Sequence, residues 1–347
     1  MPRWVADRRR PTMRDVAARA GVSLKTVSRV VNAESGVSSA LEVRVRGAID
    51  ELGFRPNAGA SSLRRADGKT ATVGLLLQDV ANPFSSALQR AVEDVAVPRG
   101  VMVFSASLDE SADRERELTQ AFTARRADGL IIAPAGADQG YLEPELLAGT
   151  AIVCVDRPAV NLDVDSVVTT NASGSAEGVR HLLAAGHRRI AFLGDRSSLF
   201  TATERYRGYT QALAAAGIRC DPAIVMKDLR DVVVADGAAT ALLTRPDPPT
   251  ALFTSQNLVT IGAIRALRRL GLERRIALVG FDDFPLADLL VPGVTVVAQD
   301  PAAIGRTAAA VLFGRLAGDR APTVVHVVPT CLIRRGSGEI APAVGDE

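Results

Sequence analysis

The sequence has few of the residues on which metal centres, disulfide scaffolds and membrane spans depend. Its 347 residues include three cysteines and three histidines, and the cysteines at positions 154, 220 and 331 form no closely spaced pair. This spacing disfavours a zinc site or a disulfide framework, and we expect no cofactor. No apolar run approaches the roughly 18 residues that a transmembrane helix needs. Aromatic residues make up only 4% of the chain, so its cores must be largely aliphatic.

The amino terminus lacks the apolar segment of a secretory signal, and its charge differs from that of the rest of the chain. Residues 1–69 hold 14 basic and 7 acidic residues, whereas 27 of the 41 basic and 32 of the 39 acidic residues follow. A basic head on a mildly acidic body indicates that the head alone meets a polyanion, although a solvated basic face gives the same count. We expect a cytoplasmic protein without membrane contact, whose residues 1–11 form a disordered basic arm.

Residues 12–56 have the pattern of three short helices. Thr12, with an aspartate three residues later, predicts a capping box at the first helix, and Gly21 predicts its left-handed end. Ser23 and Ser38 predict the N-caps of the second and third helices. Because only two residues separate the first two helices, the short turn forces the steep crossing of a helix-turn-helix.

The second of these helices directs an apolar face inward and polar side chains outward. Its N-terminal part would enter the major groove, where Lys25 and Arg29 can donate to guanine and Leu24 can touch a thymine methyl group. The outward side chains are Leu24, Lys25, Thr26, Ser28 and Arg29. Hydroxyl and amide groups near the helix starts and the turn would hold phosphates, and these are Thr12, Ser23, Ser28, Asn32 and Ser38. The alternative is a pair of helices that packs on protein.

From Thr70 onward, β-rich apolar runs alternate with amphipathic helical patterns. We predict strands at 72–77, 101–105, 129–133, 151–155, 189–194, 251–255 and 276–280. Strands buried on both faces and separated by helices of ten or more residues predict an α/β fold with parallel sheets. Ligands of such sheets bind beyond the carboxyl ends of the strands. The segments that follow strands directly are Asp79–Phe84, Asp156–Arg157, Asp195–Arg205, Gln256–Asn257 and Asp282–Asp283.

Short motifs occur along nearly the whole chain in a specific order. In the head they are Thr12-Met13-Arg14-Asp15-Val16-Ala17, Ala20-Gly21-Val22-Ser23, Thr26-Val27-Ser28-Arg29-Val30-Val31-Asn32, Val37-Ser38, Gly53-Phe54-Arg55-Pro56-Asn57 and Ser62-Leu63-Arg64. In the body they are Asn82-Pro83-Phe84, Asp156-Arg157-Pro158, Gly186-His187-Arg188-Arg189-Ile190-Ala191, Glu204-Arg205 with Gly208, Gly280-Phe281-Asp282-Asp283, and Thr295 with Gln299. In this order the motifs resemble the lactose/galactose repressor family of bacterial transcriptional regulators.

The resemblance implies a sequence-specific repressor that binds a near-palindromic operator on double-stranded DNA as a homodimer. Residues 57–69, a hinge helix and linker, would fold only against a partner, because so short a helix is unstable alone. Asn57 would begin this helix in the minor groove, and Leu63 would wedge into the central base step and kink the duplex. Packing of Leu63 against the core is the alternative.

For residues 70–335 the resemblance implies a two-lobed core like a type I periplasmic sugar-binding protein. The first lobe would contain about 70–165 and 298–325, and the second about 166–297 and 326–335. The remaining residues, 336–347, read as a tail without the leucine heptads of a tetramerisation helix, so a dimer is the default.

A small sugar-like effector would bind between the lobes. Arg205 and Asp282 would make the main polar contacts, since charged groups bind adjacent hydroxyls strongly, and Phe84 would stack on an apolar sugar face. The other matching pocket positions are Ser85, Asp156, Asn171 and Gln256. For Asp156, a salt bridge with the arginine that follows it is an equal alternative.

Two positions depart from the family pattern. The chain has Gln256-Asn257 where the family usually has Asn-Asp, and Thr170-Asn171 where it has Asp-Asn. Each change removes a carboxylate that can hold sugar hydroxyls. The effector is therefore open to being an atypical sugar, a sugar acid or phosphate, or another molecule, and induction and corepression are equally allowed.

Three other function classes fit the sequence less well. The motifs of serine hydrolases, P-loop enzymes and dinucleotide-binding enzymes are missing, so we expect no enzymatic activity. A transport binding protein needs a signal peptide and no basic head. A nonspecific DNA-compacting protein leaves the two-lobed core unexplained.

Overall fold

The structure is a computed structural model that describes residues 9–32, 34–55 and 69–343. The chain divides into two compact units, Met1–Thr70 and Ala71–Glu347, which are described separately below. No helix in the described ranges is both long and apolar enough to cross a membrane.

The first unit contains α1 (Met13–Ala20), α2 (Leu24–Val31) and α3 (Ser39–Leu52). The three helices share one small apolar core, in which Val16, Val27 and Val45 are completely buried. The valines of α2 recur at helical spacing, so one face of this short helix is apolar and the opposite face is left for polar side chains.

The ends of these helices follow the predicted capping chemistry with one exception. The capping box of α1 is confirmed, because both the Thr12 amide and the Thr12 hydroxyl donate to the Asp15 carboxylate at 2.7 Å while the Asp15 amide points back to the hydroxyl. Ser23 caps α2 by accepting from the Thr26 amide at 3.1 Å. Ser38 precedes α3, but its side chain makes no capping bond, so that prediction is wrong in its chemistry.

The turn between α1 and α2 depends on Gly21, whose φ of +62° is a left-handed conformation that costs other residues energy. Arg44 of α3 reaches this turn and donates to the Ala20 carbonyl at 2.5 Å. Nothing in the sequence pattern indicated Arg44, because its partner is a main-chain group 24 residues away.

The second unit is a succession of strands and helices. In chain order they are β1 (Thr72–Leu77), α4 (Pro83–Ala96), β2 (Met102–Ser107), α5 (Ala112–Ala124), β3 (Gly129–Ile132), α6 (Glu143–Leu147), β4 (Ala151–Val155), β5 (Asp165–Thr169), α7 (Asn171–Ala184), β6 (Ile190–Leu193), α8 (Phe200–Ala215), β7 (Val225–Met226), α9 (Val232–Leu243), β8 (Ala251–Thr254), α10 (Asn257–Leu270), β9 (Ala277–Phe281), β10 (Thr295–Ala298), α11 (Pro301–Leu316), β11 (Val325–Val328) and β12 (Cys331–Ile333).

The strands form two six-stranded sheets, one in each lobe. The first sheet has the order β11-β5-β4-β3-β1-β2 and is parallel throughout. The second has the order β12-β10-β9-β8-β6-β7, in which only β12 runs antiparallel to its neighbour. The predicted α/β fold with parallel sheets and a helical head is confirmed.

Each sheet is covered by helices on both faces. In the first lobe α4 and α11 pack on one face and α5 on the other; in the second, α9 and α10 face α7 and α8 across the sheet. Leu75 and Leu76 of β1 are both completely buried but belong to different core clusters. Both faces of the strand are buried, so its sequence is uniformly apolar rather than alternating.

The chain passes between the lobes three times, after β5, after β10 and after β11. β5 and β11 pair with each other in the first sheet, whereas the predicted lobe boundaries placed residues 166–169 and 326–328 in the second lobe. The boundaries differ because only the hydrogen-bonded pairing of these two strands, which are distant in the sequence, assigns them to a sheet.

Part of the predicted tail is packed rather than loose. The Ser337 hydroxyl is buried, donates to the Leu278 carbonyl at 2.6 Å and accepts from the Thr295 amide at 2.9 Å. The His187 ring closes the same region, with Nε2 lying 2.7 Å from the Ile340 carbonyl oxygen. These contacts extend the second lobe beyond the predicted end at residue 335.

Acid should weaken this packing through His187. Its ring is fully buried, with Nδ1 3.0 Å from the Thr250 hydroxyl, and burial holds its pKa below the ordinary value of 6.5. The unfolded chain then takes up a proton at a higher pH than the folded chain, so the contribution of His187 to stability is lost as pH falls below about 6.5.

Urea unfolding at pH 7.5 and 5.5 measures this effect. The difference in the free energy of unfolding between the wild-type protein and His187→Gln should be smaller at pH 5.5 than at pH 7.5. A difference that stays constant or widens at pH 5.5 contradicts the assignment.

Candidate DNA-binding surface and effector cleft

The outer face of α2 is polar and accessible. Ser23, Leu24 and Lys25 are exposed at the start of the helix, and Ser28 and Arg29 are half-buried one turn later. Residues three and four apart share a helix face, so the valines of α2 occupy its buried face and these side chains lie on the opposite one. Thr26 is also half-buried, and its hydroxyl lies 2.9 Å from that of Ser23.

A carboxylate stands beside the C-terminal end of this face. Glu34 lies 4.0 Å from the Arg29 guanidinium and accepts from the Asn32 amide at 3.4 Å, while Asn32 also donates to Ser28. This loose network orients the three side chains without neutralising Arg29 fully, since exposed ion pairs of this length are weak.

The remaining predicted DNA contacts lie elsewhere in the head. Ser38 is exposed, while the Thr12 hydroxyl is already held by the Asp15 carboxylate. The predicted hinge contacts, Asn57 and Leu63, lie outside the described residues.

In the second unit, polar side chains from both lobes converge on one cleft. An inner cavity of about 30 Å³ is lined by Gln78, Asn82, Phe84, Asp156, Arg157, Asp195, Thr201, Arg205, Gln256, Asn257, Asp282 and Gln299. These residues lie just after strands β1, β4, β6, β8, β9 and β10 or near the start of the helix that follows, as expected where the carboxyl ends of parallel strands meet.

Arg205 of α8 is the centre of the second lobe's side of the cleft. Its Nε donates to Asn171 at 2.8 Å, and its Nη1 donates to the Ser255 carbonyl at 2.7 Å and to the Asp282 carboxylate at 3.3 Å. The Phe281 ring lies beneath the guanidinium at 3.9 Å. Asn171 is buried behind Arg205 and orients it, but it does not line the cavity.

Two of the three aspartates that line the cavity, Asp156 and Asp282, occupy equivalent places in the two sheets. Asp156 follows β4 and Asp282 follows β9, and both have left-handed backbones, with φ of 66° and 70°. Such a backbone is unusual for aspartate and is typical of functional turns, where it redirects a side chain. Gln299 donates to the Asp282 carboxylate at 2.6 Å and so completes its environment.

Asp156 forms the predicted ion pair with Arg157 and also lines the cavity. Its carboxylate lies 3.4 Å from Arg157 Nε. Arg157 is bound more firmly elsewhere, through paired bonds to the Glu110 carboxylate at 2.6 and 2.5 Å. Burial raises the pKa of Asp156.

The residues that depart from the family pattern each make a specific contact in the structure. Asn257 and Asn82 donate to each other across the lobes, at 2.9 and 3.3 Å, an exchange that an aspartate at position 257 cannot complete because it has no N–H. Gln256 caps α10 by accepting from the Leu258 amide at 2.9 Å. The Thr170 hydroxyl lies 2.9 Å from that of Thr330 and ties two of the interlobe crossings together.

Phe84 borders a second, larger space. This outer chamber of about 310 Å³ is lined by Pro83, Phe84, Ala87, Asp282, Asp283, Phe284, Pro285, Gln299 and Pro301. It shares Phe84, Asp282 and Gln299 with the inner cavity, so the two spaces adjoin. Ser85 is buried in α4 and lines neither space.

Several residues that line the cavity are not among the predicted pocket positions. Four of them fall within the segments predicted to follow strands directly, namely Asn82, Asp195, Thr201 and Asn257. The strand ends therefore locate the site, but the sequence does not indicate which residues of each segment face the cavity. Gln78 lies one residue before such a segment.

A head with an outward-facing helix and a core with a polar interlobe cleft together define a DNA-binding regulator that senses a small molecule. Comparison with known proteins gives the same class. Residues 12–57 match the family described as bacterial regulatory proteins, lacI family, and residues 179–338 match a periplasmic binding protein-like domain.

Relatives match over the full length. A ribose operon repressor of Halalkalibacterium halodurans is 32% identical, over 93% of this chain and 96% of its own. The transcriptional regulator CelR in its cellobiose complex is 32% identical, with a TM-score of 0.68 over 94% of this chain and all of its own. The lac repressor dimer bound to operator and the anti-inducer ONPF is 26% identical, with a TM-score of 0.82 over 95% and 99%. The chain therefore belongs to the LacI family and is a helix-turn-helix transcriptional regulator.

Proposed function

We propose that this chain is a homodimeric repressor that reads a near-palindromic operator through α2 and changes its DNA affinity when a small sugar-like molecule occupies the interlobe cleft. The observation that carries the proposal is the cleft itself, in which Arg205 and Asp282 are bound and oriented by the protein at the carboxyl ends of the strands.

The DNA-binding part of the proposal rests on the accessible face of α2. Lys25 and Arg29 are positioned to donate to guanine, and Leu24 offers an apolar group to a thymine methyl. The proposed phosphate contacts are the hydroxyls of Ser23, Ser28 and Ser38 and the Asn32 side-chain amide. The Thr12 hydroxyl, the fifth, must turn away from the Asp15 carboxylate to donate to a phosphate. The lac repressor dimer, a relative, was determined bound to operator.

The effector-binding part rests on the polar lining of the cleft. Arg205 and Asp282 would bind neighbouring hydroxyls, Asp156 and Gln256 would add hydrogen bonds, and Phe84 would cover an apolar face. Asn171 acts through Arg205. CelR, a relative, was determined with cellobiose, which supports a carbohydrate-like ligand for this chain.

The two halves of the proposal are linked by movement of the lobes. Asn82 and Asn257 bond across the cleft, and the Arg196 guanidinium lies 3.5 Å from the main-chain carbonyl oxygens of Asp109 and Glu110. A ligand that prefers one relative position of the lobes shifts the population toward it, and the DNA affinity changes by no more than that preference. Either sign, induction or corepression, is compatible with these contacts.

The homodimer is supported by apolar side chains on the edge strand β2. Met102 and Phe104 are 59% and 53% exposed on a strand with a free edge. Leu286, Leu289 and Val291 are similarly exposed in the second lobe. Exposed apolar edge strands favour aggregation unless a partner covers them, and a second copy of the chain is the partner that a homodimer supplies.

Phe104→Asp should convert the dimer to a monomer at micromolar concentration, because dimerisation would bury a charge in an apolar contact. Analytical ultracentrifugation measures the change. Leu147→Asp, at a residue that is 82% exposed on α6, is the matched control and should remain dimeric. A dimeric Phe104→Asp protein contradicts the use of β2 as the interface.

Selection of bound fragments from random and genomic DNA tests the proposed function directly. The expected result is enrichment of a single near-palindromic motif, whose affinity changes on addition of a compound found by thermal-shift screening. Equal binding to random and palindromic duplexes refutes sequence-specific repression and favours a DNA-compacting role.

A further inference from the structure

The cleft contains more carboxylates than guanidinium groups. Asp156, Asp195 and Asp282 line the inner cavity, and Glu110 lies directly behind Arg157. The positive charges that oppose these four carboxylates are Arg157 and Arg205 in the lining and Arg196 at the rim. With every carboxylate ionised, the group carries one surplus negative charge.

The two guanidinium groups in the lining are already engaged by protein acceptors. Arg157 and Glu110 form a paired ion bridge between side chains that are 5% and 4% exposed, and Arg157 Nη1 also donates to the Pro134 carbonyl at 2.8 Å. Arg205 donates to three groups of the second lobe. A ligand phosphate or carboxylate would have to compete with these acceptors and would add charge to an already acidic cleft.

Asp195 is the carboxylate that lacks a cationic partner. Its Oδ1 accepts from the Arg196 main-chain amide at 2.7 Å, but no ion pair within 4.0 Å joins it to a described residue. Burial is the largest effect and raises its pKa, and the Glu110 charge acts in the same direction. The bond from the Arg196 amide, the Gln256 side chain and the more distant Arg157 charge lower the pKa and offset only part of this rise. The ionised form of Asp195 is therefore under-compensated in the cleft without a ligand.

Two polar atoms of the lining have no hydrogen-bond partner in the described part of the chain. Arg157 Nε is buried in a nine-tenths-buried side chain and makes no aligned hydrogen bond, and Gln299 Oε1 is a buried acceptor without a donor. Buried polar groups of this kind normally bind something. A hydroxyl can satisfy either atom, whereas an anionic group can satisfy only the donor.

From this arrangement we infer that the effector is a polyhydroxylated molecule carrying a positively charged nitrogen, which compensates Asp195, and that anionic sugar derivatives are rejected. The inference rests on the proposed effector site and narrows its ligand class. It removes sugar acids and sugar phosphates from the range that the sequence left open.

Matched sugars that differ in one group provide the test. Thermal-shift and calorimetric titrations would compare glucosamine with glucose and glucuronate, and galactosamine with galactose and galacturonate, within a broader library of cationic, neutral and anionic metabolites. Amines should bind about tenfold or more tightly than their neutral counterparts, as expected for one desolvated charge pair. Anions should bind least.

Two variants connect this preference to Asp195. Asp195→Asn keeps the acceptor oxygen but removes the charge, so it should abolish the amine preference and raise the melting temperature of the ligand-free protein. Asp113→Asn makes the same charge change at an exposed position of α5 and should do neither.

The inference is overturned if an anion is the tightest ligand, if no cationic compound in the library binds, or if Asp195→Asn leaves the preference unchanged. DNA selection separates this failure from that of the proposed function. A protein that selects a palindromic motif and releases it on binding an anion remains an effector-controlled repressor with the wrong ligand class, whereas one that selects no motif refutes the repressor whatever it binds.

Discussion

Replacing Arg205 by alanine should abolish the effector response while leaving operator binding without effector unchanged. The guanidinium donates to the Asp282 carboxylate and to the Asn171 side-chain oxygen. Its removal takes the cationic partner from Asp282, which keeps the bond from Gln299, and leaves the buried Asn171 oxygen without this donor. We expect a loss of about 3 kcal/mol in effector binding, a hundredfold or more in Kd. Titration calorimetry and operator binding with and without effector measure the two properties.

A matched control lies two residues away on the same helix. Arg207 is exposed and pairs with Glu204 on the surface, so Arg207→Ala should change effector binding by less than about 0.5 kcal/mol. Asp282→Asn keeps the side-chain volume and guards against unfolding of the alanine variant; it should also lose the response. An Arg205→Ala protein that is folded and still responds to effector shows that the pocket is assigned wrongly.

Arg29→Ala should weaken operator binding by roughly 1–3 kcal/mol and relax the preference at one base pair of each half-site. The guanidinium lies on the accessible face of α2, and its one ion partner among the described residues, Glu34, is 4.0 Å away. The contact with guanine is lost in both subunits of the dimer, so the loss of affinity for the full operator should exceed that for an isolated half-site. Fluorescence anisotropy on operators with single base changes measures both.

Arg46 of α3 provides the comparison for this variant. It is exposed and bound to Glu42 one turn earlier, so Arg46→Ala removes a positive charge from the head without touching α2. Its affinity loss should be smaller and uniform across sequences. An Arg29→Ala protein with unchanged base preference contradicts the assignment of α2 as the reading helix.

Local chemistry explains why much of the fold was predictable. The spacing of Val27 and Val30 defines the buried face of α2, Gly21 supplies a backbone that other residues disfavour, and uniformly apolar strands such as β1 indicate burial on both faces. The same pattern located the cleft, since the segments after the predicted strands supply most of its lining.

The positions that were misassigned depend on distant partners. Ser337 has a polar tail sequence, yet it is buried by bonds to residues 42 and 59 positions earlier. Most of β5 and β11 was predicted to lie in the second lobe, because the pairing of residues 159 positions apart leaves no periodic signal in the sequence.

The amino-acid sequence alone determined the helices of the head, the alternation of strands and helices, and the strand ends at which ligand-binding groups collect, because each depends on neighbours a few residues away. The tertiary structure decided which of those groups face one another. It paired Arg157 with Glu110, joined Asn82 to Asn257 and left Asp195 without an ion pair among the described residues. The charge balance of the cleft is a sum over residues from distant segments, and only folding brings them within the range at which their charges act.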